Sequence, residues 1–380
     1  MKLETQREDL LGLLQNVIGV VERRQTLPIL SNVVVEARDN QLTLTATDME
    51  VEISAQAEFN IIEPGRTTLP ARKLFDILRA LPAEASVVLT VDESDTEAAS
   101  GKAQLRAGRS RFALATLPAD EMPTLDEFVS DSVTHLSRGD LHTLIERSHF
   151  AMAQQDVRYY LNGLLLEITA EGLRAVATDG HRLALCDMPT HNAESDQADQ
   201  NKVMERQVIV PRKGVQELMR LLGDDDSPVK LAFGTHHIQV DLGCIRFTSK
   251  LIDGRFPDYQ RAIPPEGEQS LVADRQSLRA ALARVAILAN ENRGVRLNLE
   301  DWLLRIQANN PEQEEAIEEV EINYDGGNLE IGFNVSYLLD ALGAIDEELV
   351  QIFLRDATSS CLIRAAEDAS SRYVVSPMRL

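Results

Sequence analysis

The sequence is poor in cysteine. Its 380 residues include only Cys186, Cys244 and Cys361, which lie far apart in the chain. No CxxC pair and no cluster of Cys and His at metal-ligand spacing occurs. These absences argue against a disulfide framework and against a structural zinc site, so we expect no metal and no cofactor.

Long apolar runs are also missing. No stretch approaches the roughly 18 apolar residues of a membrane span. The first residues place Glu4, Arg7 and Glu8 where a signal peptide needs an apolar core. We therefore expect a reduced, cytoplasmic protein with no membrane attachment, and we predict that the polar segment 191–205 forms a surface loop.

Positive charge is in deficit. The chain has 38 Lys and Arg against 61 Asp and Glu, which gives a net charge of −23. Such a balance argues against binding to nucleic acid or to an anionic membrane through overall charge. A net charge does not say where the basic residues lie, however, so their positions have to be considered separately.

Motifs of known catalytic sites do not occur. The sequence has no G-x-S-x-G elbow, P-loop, H-E-x-x-H or Rossmann glycine pattern. Asp179, His181 and Cys186 would suit a hydrolase, but the aspartate recurs as Asp48 without a histidine, which indicates a turn residue. We predict no catalytic residue. The lack of a DNA-recognition helix motif also argues against a sequence-specific DNA-binding protein.

A threefold internal repeat organises the chain. The segments LTLTATDMEVEI (42–53), LRAVATDGHRLAL (173–185) and LLRIQANNPEQEEA (303–316) share an alternating strand pattern followed by a polar step. Aligning Ala46, Ala177 and Ala308 gives two equal spacings along the chain. Each repeat is predicted to contain several short strands and two helices, which is typical of α+β domains with helices on one face of antiparallel sheet.

The second helix of each repeat follows a recognisable pattern. Pro70 and Pro211 each precede apolar residues at helical spacing, and a weaker third copy starts at Phe333. Together with an amphipathic opening helix in each repeat, this pattern predicts three similar domains. Their predicted boundaries are 1–128, 129–256 and 257–380.

Basic residues recur at the same positions of two of these helices. The second position after the proline is Arg72 or Lys213, and the ninth is Arg79 or Arg220. Seven residues are two helical turns, so both bases of a pair project from one side. They are either ordinary solubilising residues or a surface that meets DNA phosphates without reading bases.

The sequence resembles the bacterial DNA polymerase III beta subunit family, the replicative sliding clamps. The resemblance is carried by stretches in all three repeats: TLPILSNVVVE (26–36), LTATDMEVE (44–52), AGRSRFALATLP (107–118), AQQDVRYYLNG (153–163), ATDGHRLA (177–184), IVPRKG (209–214), FTSKLIDGRFPDY (247–259), ANNPEQEEA (308–316), IGFNVSYLLDAL (331–342) and VVSPMRL (374–380). It implies three processivity-clamp domains per chain, with antiparallel sheets outside and helices lining a ring. Two chains would close head to tail around double-stranded DNA and tether the replicative polymerase, the clamp loader and other proteins with short clamp-binding motifs.

The resemblance and the helix spacing together predict DNA-contacting residues. The resemblance implies Arg24, Arg72, Gln155, Arg158, Tyr159, Tyr160, Arg212 and Lys213, and the helix spacing adds Arg79 and Arg220. The paired tyrosines either stack on an exposed base or sugar, or pack beside Leu161.

The resemblance also implies a pocket for partner peptides between the second and third domains. Its expected residues are Leu161, Thr178, Gly180, His181, Arg182, Leu183, Pro257, Arg261, Asn334, Tyr337, Ser360, Val374, Ser376, Pro377, Met378 and Arg379. Apolar side chains with a methionine suit a short linear motif, while ordinary core packing is the alternative. Ser376 and Ala262 replace larger apolar residues of the family, so we expect a more polar or roomier pocket.

A subunit interface is the third implied site. Its expected members are Ile77, Leu81, Arg109, Arg111, Phe112 and Leu114 of the first domain and Ile287, Leu288, Glu314 and Glu315 of the third. Two different patches that meet head to tail can close a ring through a twofold axis. The six glutamates between 312 and 321 either complement the arginines or form a solvated acidic face.

Overall fold

The structure is a computed structural model of the chain. It describes residues 1–22, 27–91, 101–125, 128–169, 171–190, 206–267, 269–324 and 326–379. The predicted loop 191–205 and the predicted DNA contact Arg24 lie outside these residues. No helix among the described residues is long and apolar enough to cross a membrane.

Short strands dominate the fold. The α-helices of the described residues are α1 (Arg7–Val17), α2 (Ala71–Ala80), α3 (Arg138–Glu146), α4 (Arg212–Leu221), α5 (Arg275–Val285) and α6 (Val335–Gly343). The strands up to residue 128 are β1 (Lys2–Gln6), β2 (Asn32–Arg38), β3 (Gln41–Thr47), β4 (Val51–Glu58), β5 (Asn60–Glu63), β6 (Gly65–Pro70), β7 (Ser86–Val91), β8 (Lys102–Ala107) and β9 (Ser110–Ala115). Those up to 256 are β10 (Ser132–Ser137), β11 (Gly163–Ile168), β12 (Gly172–Thr178), β13 (Arg182–Pro189), β14 (Arg206–Pro211), β15 (Pro228–Phe233), β16 (His237–Asp241) and β17 (Ile245–Lys250). The remainder are β18 (Ser270–Asp274), β19 (Gly294–Glu300), β20 (Leu303–Asn309), β21 (Glu315–Glu321), β22 (Leu329–Asn334), β23 (Leu349–Phe353), β24 (Cys361–Ala365) and β25 (Ser371–Val375).

The first compact unit of the chain consists of Met1–Gly139 and Gln216–Leu251. It contains a five-stranded sheet, β5-β1-β7-β8-β9, and an eight-stranded sheet, β10-β15-β16-β17-β4-β3-β2-β6. Helices α1 and α2 pack on each other, and α1 also packs on β3 and β4. The fully buried side chains of Leu10 and Leu14 lie one helical turn apart on α1 and contribute to the core.

The second compact unit consists of Asp140–Val215 and Ile252–Leu380. Its eight-stranded sheet has the order β14-β11-β12-β13-β25-β24-β23-β18, and its four-stranded sheet has the order β21-β20-β19-β22. Helices α5 and α6 pack on each other, and α5 packs on β20 and β21. The same pairing of two helices with antiparallel sheet thus occurs in both units.

Each eight-stranded sheet takes four strands from each of two consecutive predicted domains. The last strand of the second domain, β17, pairs with β4 of the first, and the last strand of the third, β25, pairs with β13 of the second. In both cases a last strand joins the fourth strand of the preceding domain. The last strand of the first domain, β9, and the fourth strand of the third, β21, each lie at the edge of a sheet.

The predicted apolar stripes of the second helices are present. Leu74 and Leu78 are buried on α2, and Val215 and Leu218 are buried on α4. Spacings of three and four residues place these side chains on the face that packs into the core. The two stretches predicted as helices from their opening prolines are therefore confirmed.

Helix α6 begins one residue later than the sequence count assumed. The count started at Phe333, but strand register makes Asn334 the equivalent of the two prolines. The register pairs are Asn32↔Pro70, Gly163↔Pro211 and Gly294↔Asn334. The equivalents of the basic positions are therefore Ser336 and Gly343, neither of which carries charge. The error arose because this repeat has no proline to mark where the strand ends.

Candidate functional site

The turn between β12 and β13 is fixed by side-chain hydrogen bonds to the backbone. The Thr178 hydroxyl donates to the Arg182 carbonyl oxygen at 2.6 Å, and Asp179 Oδ1 accepts from the N–H groups of His181 at 2.9 Å and Arg182 at 3.0 Å. Gly180 has a φ of +89°, a conformation that glycine adopts without steric cost. The turn therefore fixes the position from which the Arg182 side chain extends.

The turn between β3 and β4 repeats this arrangement. The Thr47 hydroxyl donates to the Val51 carbonyl oxygen at 2.9 Å, and Asp48 Oδ1 accepts from the N–H groups of Glu50 and Val51 at 2.9 and 2.7 Å. Met49 takes the glycine position with a φ of +75°. The interpretation of the recurring aspartate as a turn residue is confirmed in both repeats.

The geometry around Asp179 gives no support to a hydrolase. Asp179 Oδ2 pairs with Arg182 Nε at 3.2 Å, so both carboxylate oxygens serve the turn. Cys186 is buried, and burial raises the pKa of its thiol. The thiolate is the nucleophilic form of cysteine, so a thiol kept protonated is unreactive.

Arg182 connects the β12–β13 turn to the third predicted domain. Its guanidinium forms an ion pair with Asp340 of α6 and donates from Nη2 to the Phe150 carbonyl oxygen at 2.8 Å. It also lies over the aromatic ring of Tyr337. Four expected pocket residues, Thr178, Gly180, Arg182 and Tyr337, are thus part of one connected arrangement.

The floor of the candidate pocket is apolar. Leu183 lies opposite Val374 in the β13–β25 pair, and both side chains are 4% exposed. They belong to a buried cluster that also contains Phe256 and Tyr259 of the segment between β17 and β18. Leu161 is buried as well, whereas Pro257 and Arg261 are exposed.

The residues after β25 continue along the same turn. The N–H of Ser376 donates to the His181 carbonyl oxygen at 2.9 Å, and the N–H of Met378 donates to the Gly332 carbonyl oxygen at 2.8 Å. Ser360 Oγ lies 3.4 Å from Ser376 Oγ. The backbone of this segment therefore runs from the β12–β13 turn to β22 at Gly332, two residues before Asn334. The side chains of Pro377 and Met378 are half-buried, and Arg379 is exposed.

Several predicted DNA contacts donate to backbone carbonyl groups. Arg72 Nη2 donates to the Val21 carbonyl oxygen at 2.6 Å, and Arg212 Nη2 donates to that of Met152 at 2.6 Å. Burial and the charge of Arg182 lower the pKa of Arg212. Lys213 is half-buried.

Arg220 is engaged in the same way at the end of α1. Its Nη1 and Nη2 donate to the carbonyl oxygens of Gln15 at 2.8 Å and Asn16 at 2.7 Å, and its Nε pairs with Glu217 at 3.0 Å. A cation at a helix C-terminus complements the helix dipole. Gly19 permits this approach, since a Cβ there would lie 2.1 Å from Glu217 Oε2.

Other predicted DNA contacts are exposed. Gln155, Arg158 and Tyr159 lie on one exposed segment, where Arg158 pairs with Asp156 at 2.8 Å. Tyr159 meets Tyr160 edge to face at 5.7 Å between ring centroids, and Tyr160 packs on the buried cluster. Stacking is thus open to Tyr159, whereas Tyr160 combines exposure with packing. The exposed Arg79 guanidinium lies 5.6 Å from the Phe75 ring centroid.

Sequence reasoning missed a set of arginines at the first position of the opening helices. Arg7 Nε of α1 donates to the Leu78 carbonyl oxygen at 2.6 Å, and Arg275 Nη1 of α5 donates to the equivalent Leu342 carbonyl oxygen at 3.4 Å. Arg138 of α3 instead donates to Leu242 at 3.1 Å. The recurrence of arginine at this position was the available signal.

The predicted interface residues lie on or next to the edge strands β9 and β21 and at the C-terminal ends of α2 and α5. Phe112 is half-buried and Leu114 buried on β9, with Arg109 and Arg111 exposed beside them, and Ile77 and Leu81 are half-buried on and just after α2. In the second unit, Ile287 is 78% exposed just after α5, next to the half-buried Leu288. Glu314 and Glu315 are exposed at the start of β21, and Glu318 pairs with Arg284 at 2.7 Å.

Comparison with known proteins decides the family. Profiles of the DNA polymerase III beta subunit match residues 1–126 (N-terminal domain), 135–258 (central domain) and 260–379 (C-terminal domain). This chain belongs to the DNA polymerase III beta subunit family. The beta sliding clamp of Pseudomonas putida is 53% identical and that of Escherichia coli K12 47% identical, each over 382 residues that cover all of both chains.

Solved structures of the sliding-clamp family match the fold. A DNA polymerase sliding clamp from Pseudomonas aeruginosa has a TM-score of 0.92 at 52% identity, with both chains fully covered. The Caulobacter crescentus beta sliding clamp has a TM-score of 0.92 at 39% identity, covering 100% of this chain and 99% of the other. The expectation of three clamp domains with antiparallel sheets is confirmed, and the chain is a sliding clamp and not an enzyme.

Proposed function

We propose that two copies of this clamp chain close head to tail into a ring around duplex DNA and hold the replicative polymerase there. The observation that carries this proposal is the order of strand pairing, in which β17 joins β4 and β25 joins β13. The same rule leaves β9 and β21 to join each other between copies. A twofold axis then closes the ring after two chains, which together supply six domains.

The internal repeat also supplies a register for this joint. The equivalent pairs within the chain are Phe247↔Ile53 and Tyr373↔Ala184. Within their own hairpins, Ile53 pairs with Ala46 and Ala184 pairs with Ala177. In the third hairpin the residue that pairs with the equivalent Ala308 is Ala316 on β21. Phe112 of one copy would therefore lie opposite Ala316 of the other, and Arg111 opposite Ile317.

Apolar and charged residues support the same joint. Ile77 and Leu81 of one copy would contact Ile287 and Leu288 of the other. This contact would bury apolar surface that is exposed in the single chain, which favours association. In this register Arg111 would lie diagonally across from Glu315 and Glu319 of β21, and Arg109 would lie opposite Glu319, while Glu314 would lie opposite Leu114. Complementary charge of this kind favours one register over its neighbours.

DNA contact is assigned to basic side chains of α2 and α4, to basic, polar and aromatic side chains of the segment around Tyr159, and to Arg24, which lies outside the described residues. The proposed residues are Arg24, Arg72, Arg79, Gln155, Arg158, Tyr159, Tyr160, Arg212, Lys213 and Arg220. Such side chains meet phosphates or stack on bases without reading base edges, so binding would depend on salt and not on sequence. The net charge of −23 is compatible with this role because enclosure holds the DNA.

Partner proteins are assigned to the pocket above Leu183 and Val374. Its apolar floor, its half-buried Met378 and the ordered Arg182 suit a short linear motif with apolar anchors. The polymerase, the clamp loader and other proteins with such motifs would compete for this one place.

The decisive experiment changes the topology of the DNA. The protein is loaded onto nicked circular DNA by a clamp loader, and the circle is then cut. We expect retention on the circle and loss from the linear form, because a ring slides off a free end. A variant with Ile287→Ala and Leu288→Ala serves as control and should be retained on neither. Equal retention on circular and linear DNA would contradict enclosure.

A further inference from the structure

A groove of about 720 Å³ lies beside the candidate peptide pocket in the second unit. Its lining includes Ala262, Ile263 and Pro264 from the segment before β18, and Phe353, Leu354 and Arg355 at the end of β23. None of the expected pocket residues on the β12–β13 turn lines it. The groove is thus a neighbouring feature with its own walls.

The groove and the pocket are continuous. Arg261 and Ser360, both expected pocket residues, also line the groove. Ser360 is near Ser376 of the tail, with 3.4 Å between the hydroxyl oxygens. Ala262 lies between Arg261 and Ile263 and has only a methyl side chain, so the passage is not narrowed by a larger aliphatic residue.

The two features share one apolar floor. Phe353 belongs to the same buried cluster as Leu183 and Val374, and the neighbouring Leu354 is 4% exposed. An apolar side chain that enters the groove would therefore rest on the surface that continues from the pocket. Burial of such a side chain removes apolar surface from water and so favours binding.

Two arginines border this floor, and each is paired with a nearby aspartate. Arg261 pairs with Asp258 at 2.9 Å and Arg355 pairs with Asp356 at 3.0 Å, with side chains of the two arginines 87% and 75% exposed. Exposed pairs of this kind contribute little, so a guanidinium can exchange its partner for a ligand carboxylate at small cost. The described lining residues include two arginines and no acidic residue.

We propose that this groove binds the segment that flanks the pocket-binding motif of a partner protein, and that it selects an apolar residue next to acidic residues. The proposal rests on the proposed peptide pocket and extends it. The apolar side chain packs on Phe353 and Leu354, and the carboxylates meet Arg355 and Arg261. Partners with the same motif but different flanks would then differ in affinity.

The test uses fluorescence anisotropy with the full clamp and a synthetic peptide that carries the C-terminal motif of its replicative polymerase. Versions extended by Leu-Glu-Glu or by Leu-Lys-Lys at either end are compared with the unextended peptide. We expect the acidic extension at one end to tighten binding by about tenfold, as one charge-assisted contact would. The basic extension should give no gain.

Arg355→Ser identifies the contact. It should remove the gain of the acidic extension and leave the unextended peptide unchanged, whereas Arg296→Ser, an exposed arginine paired with Glu330 in the four-stranded sheet, should alter neither. No gain at either end, or a gain that survives Arg355→Ser, overturns the groove proposal alone. Failure of the unextended peptide to bind overturns the pocket as well, so the two failures are distinguishable.

Discussion

The guanidinium carbon of Arg182 lies 4.5 Å from the ring centroid of Tyr337. Arg182 is on β13, and Tyr337 is in the first turn of α6. The same guanidinium pairs with Asp179 and Asp340 and donates to the Phe150 carbonyl oxygen. With a side chain only 13% exposed, Arg182 holds strand, helix and pocket wall together through one planar group.

Arg182→Lys should weaken this arrangement while keeping the charge. A lysine ammonium cannot stack on Tyr337 and satisfy three separate partners, so we expect a loss of about 1 to 3 kcal/mol of unfolding free energy. Urea denaturation measures this loss, and peptide binding should weaken in parallel because Tyr337 loses its support. Arg296→Lys on the exposed face of β19 is the control. Full stability with weakened peptide binding would instead assign Arg182 directly to the ligand.

Arg220→Ala and Arg79→Ala should have different effects although the two arginines are equivalent in the repeat. Arg220 donates to two carbonyl groups at the end of α1, so its loss should cost about 1 to 2 kcal/mol of unfolding free energy. The exposed Arg79 should cost less than about 0.5 kcal/mol. Thermal unfolding of the two variants compares these values.

The same two variants should rank in the opposite order for DNA. We expect Arg79→Ala to lower the salt dependence of DNA retention by about one phosphate contact, and Arg220→Ala by less, since the Arg220 guanidinium is already engaged. Retention of loaded clamps on circular DNA over a salt series gives the slope. An equal loss for both variants would mean that Arg220 exchanges its carbonyl partners for phosphate.

Glu52→Gln should stabilise the protein in a pH-dependent way. Burial raises the pKa of Glu52 above its usual value of 4.5, while the N–H of Leu125 that its carboxylate accepts opposes the shift. The folded state therefore holds this proton more tightly than the unfolded state, and stability falls as pH rises through and above 4.5. Glutamine removes that loss.

The measurement is the difference in Tm between the Glu52→Gln variant and the parent. It should be positive at pH 7 and shrink as pH falls below 4.5, because the carboxyl then becomes protonated in the unfolded state as well as in the folded state. The exposed neighbour variant Glu50→Gln should give a difference that does not follow this trend. A Tm difference for Glu52→Gln that stays constant with pH would show that ionisation of the carboxyl is not its cause.

The proposed register between chains predicts a specific cross-link. Arg111→Cys combined with Ile317→Cys, in a chain with Cys244→Ser, should form a disulfide-linked dimer on mild oxidation. Paired residues of neighbouring strands have Cα atoms about 4.5 to 5.5 Å apart, which a disulfide can span. Arg111→Cys with Glu321→Cys, four residues further along β21, is the control. Efficient linkage of the control pair would rule out this register.

The sequence predicted the parts of the fold that repeat with apolar periodicity. The hairpins aligned on Ala46, Ala177 and Ala308 are present, the first two with the same register and the third with one more residue between its paired alanines, and the stripes of α2 and α4 are buried. The turn role of Asp48 and Asp179 followed from their recurrence alone. These features are local, so spacing along the chain was enough.

The partners of the charged side chains could not be predicted in this way. Arg72, Arg212 and Arg220 donate to backbone carbonyl groups. Every residue has such a group, so the residue type does not indicate which one accepts. The difference in residue type between the two domain junctions within the chain could not be predicted for a similar reason. Glu52 and Thr248 take the places of Leu183 and Val374, which only strand register reveals. The apolar pocket floor therefore forms at one junction and not at the other.

Gly19 and Ile287 occupy equivalent places, two residues beyond the last residues of α1 and α5. At the first place the missing side chain lets Arg220 and Glu217 close on the helix end, within a continuous polypeptide. At the second, a branched apolar side chain projects into solvent. A ring of two such chains would therefore have two kinds of junction between neighbouring domains. The joint at Gly19 is closed by hydrogen bonds from Arg220, whereas at the equivalent place of the proposed joint between chains an apolar contact through Ile287 would take over that role.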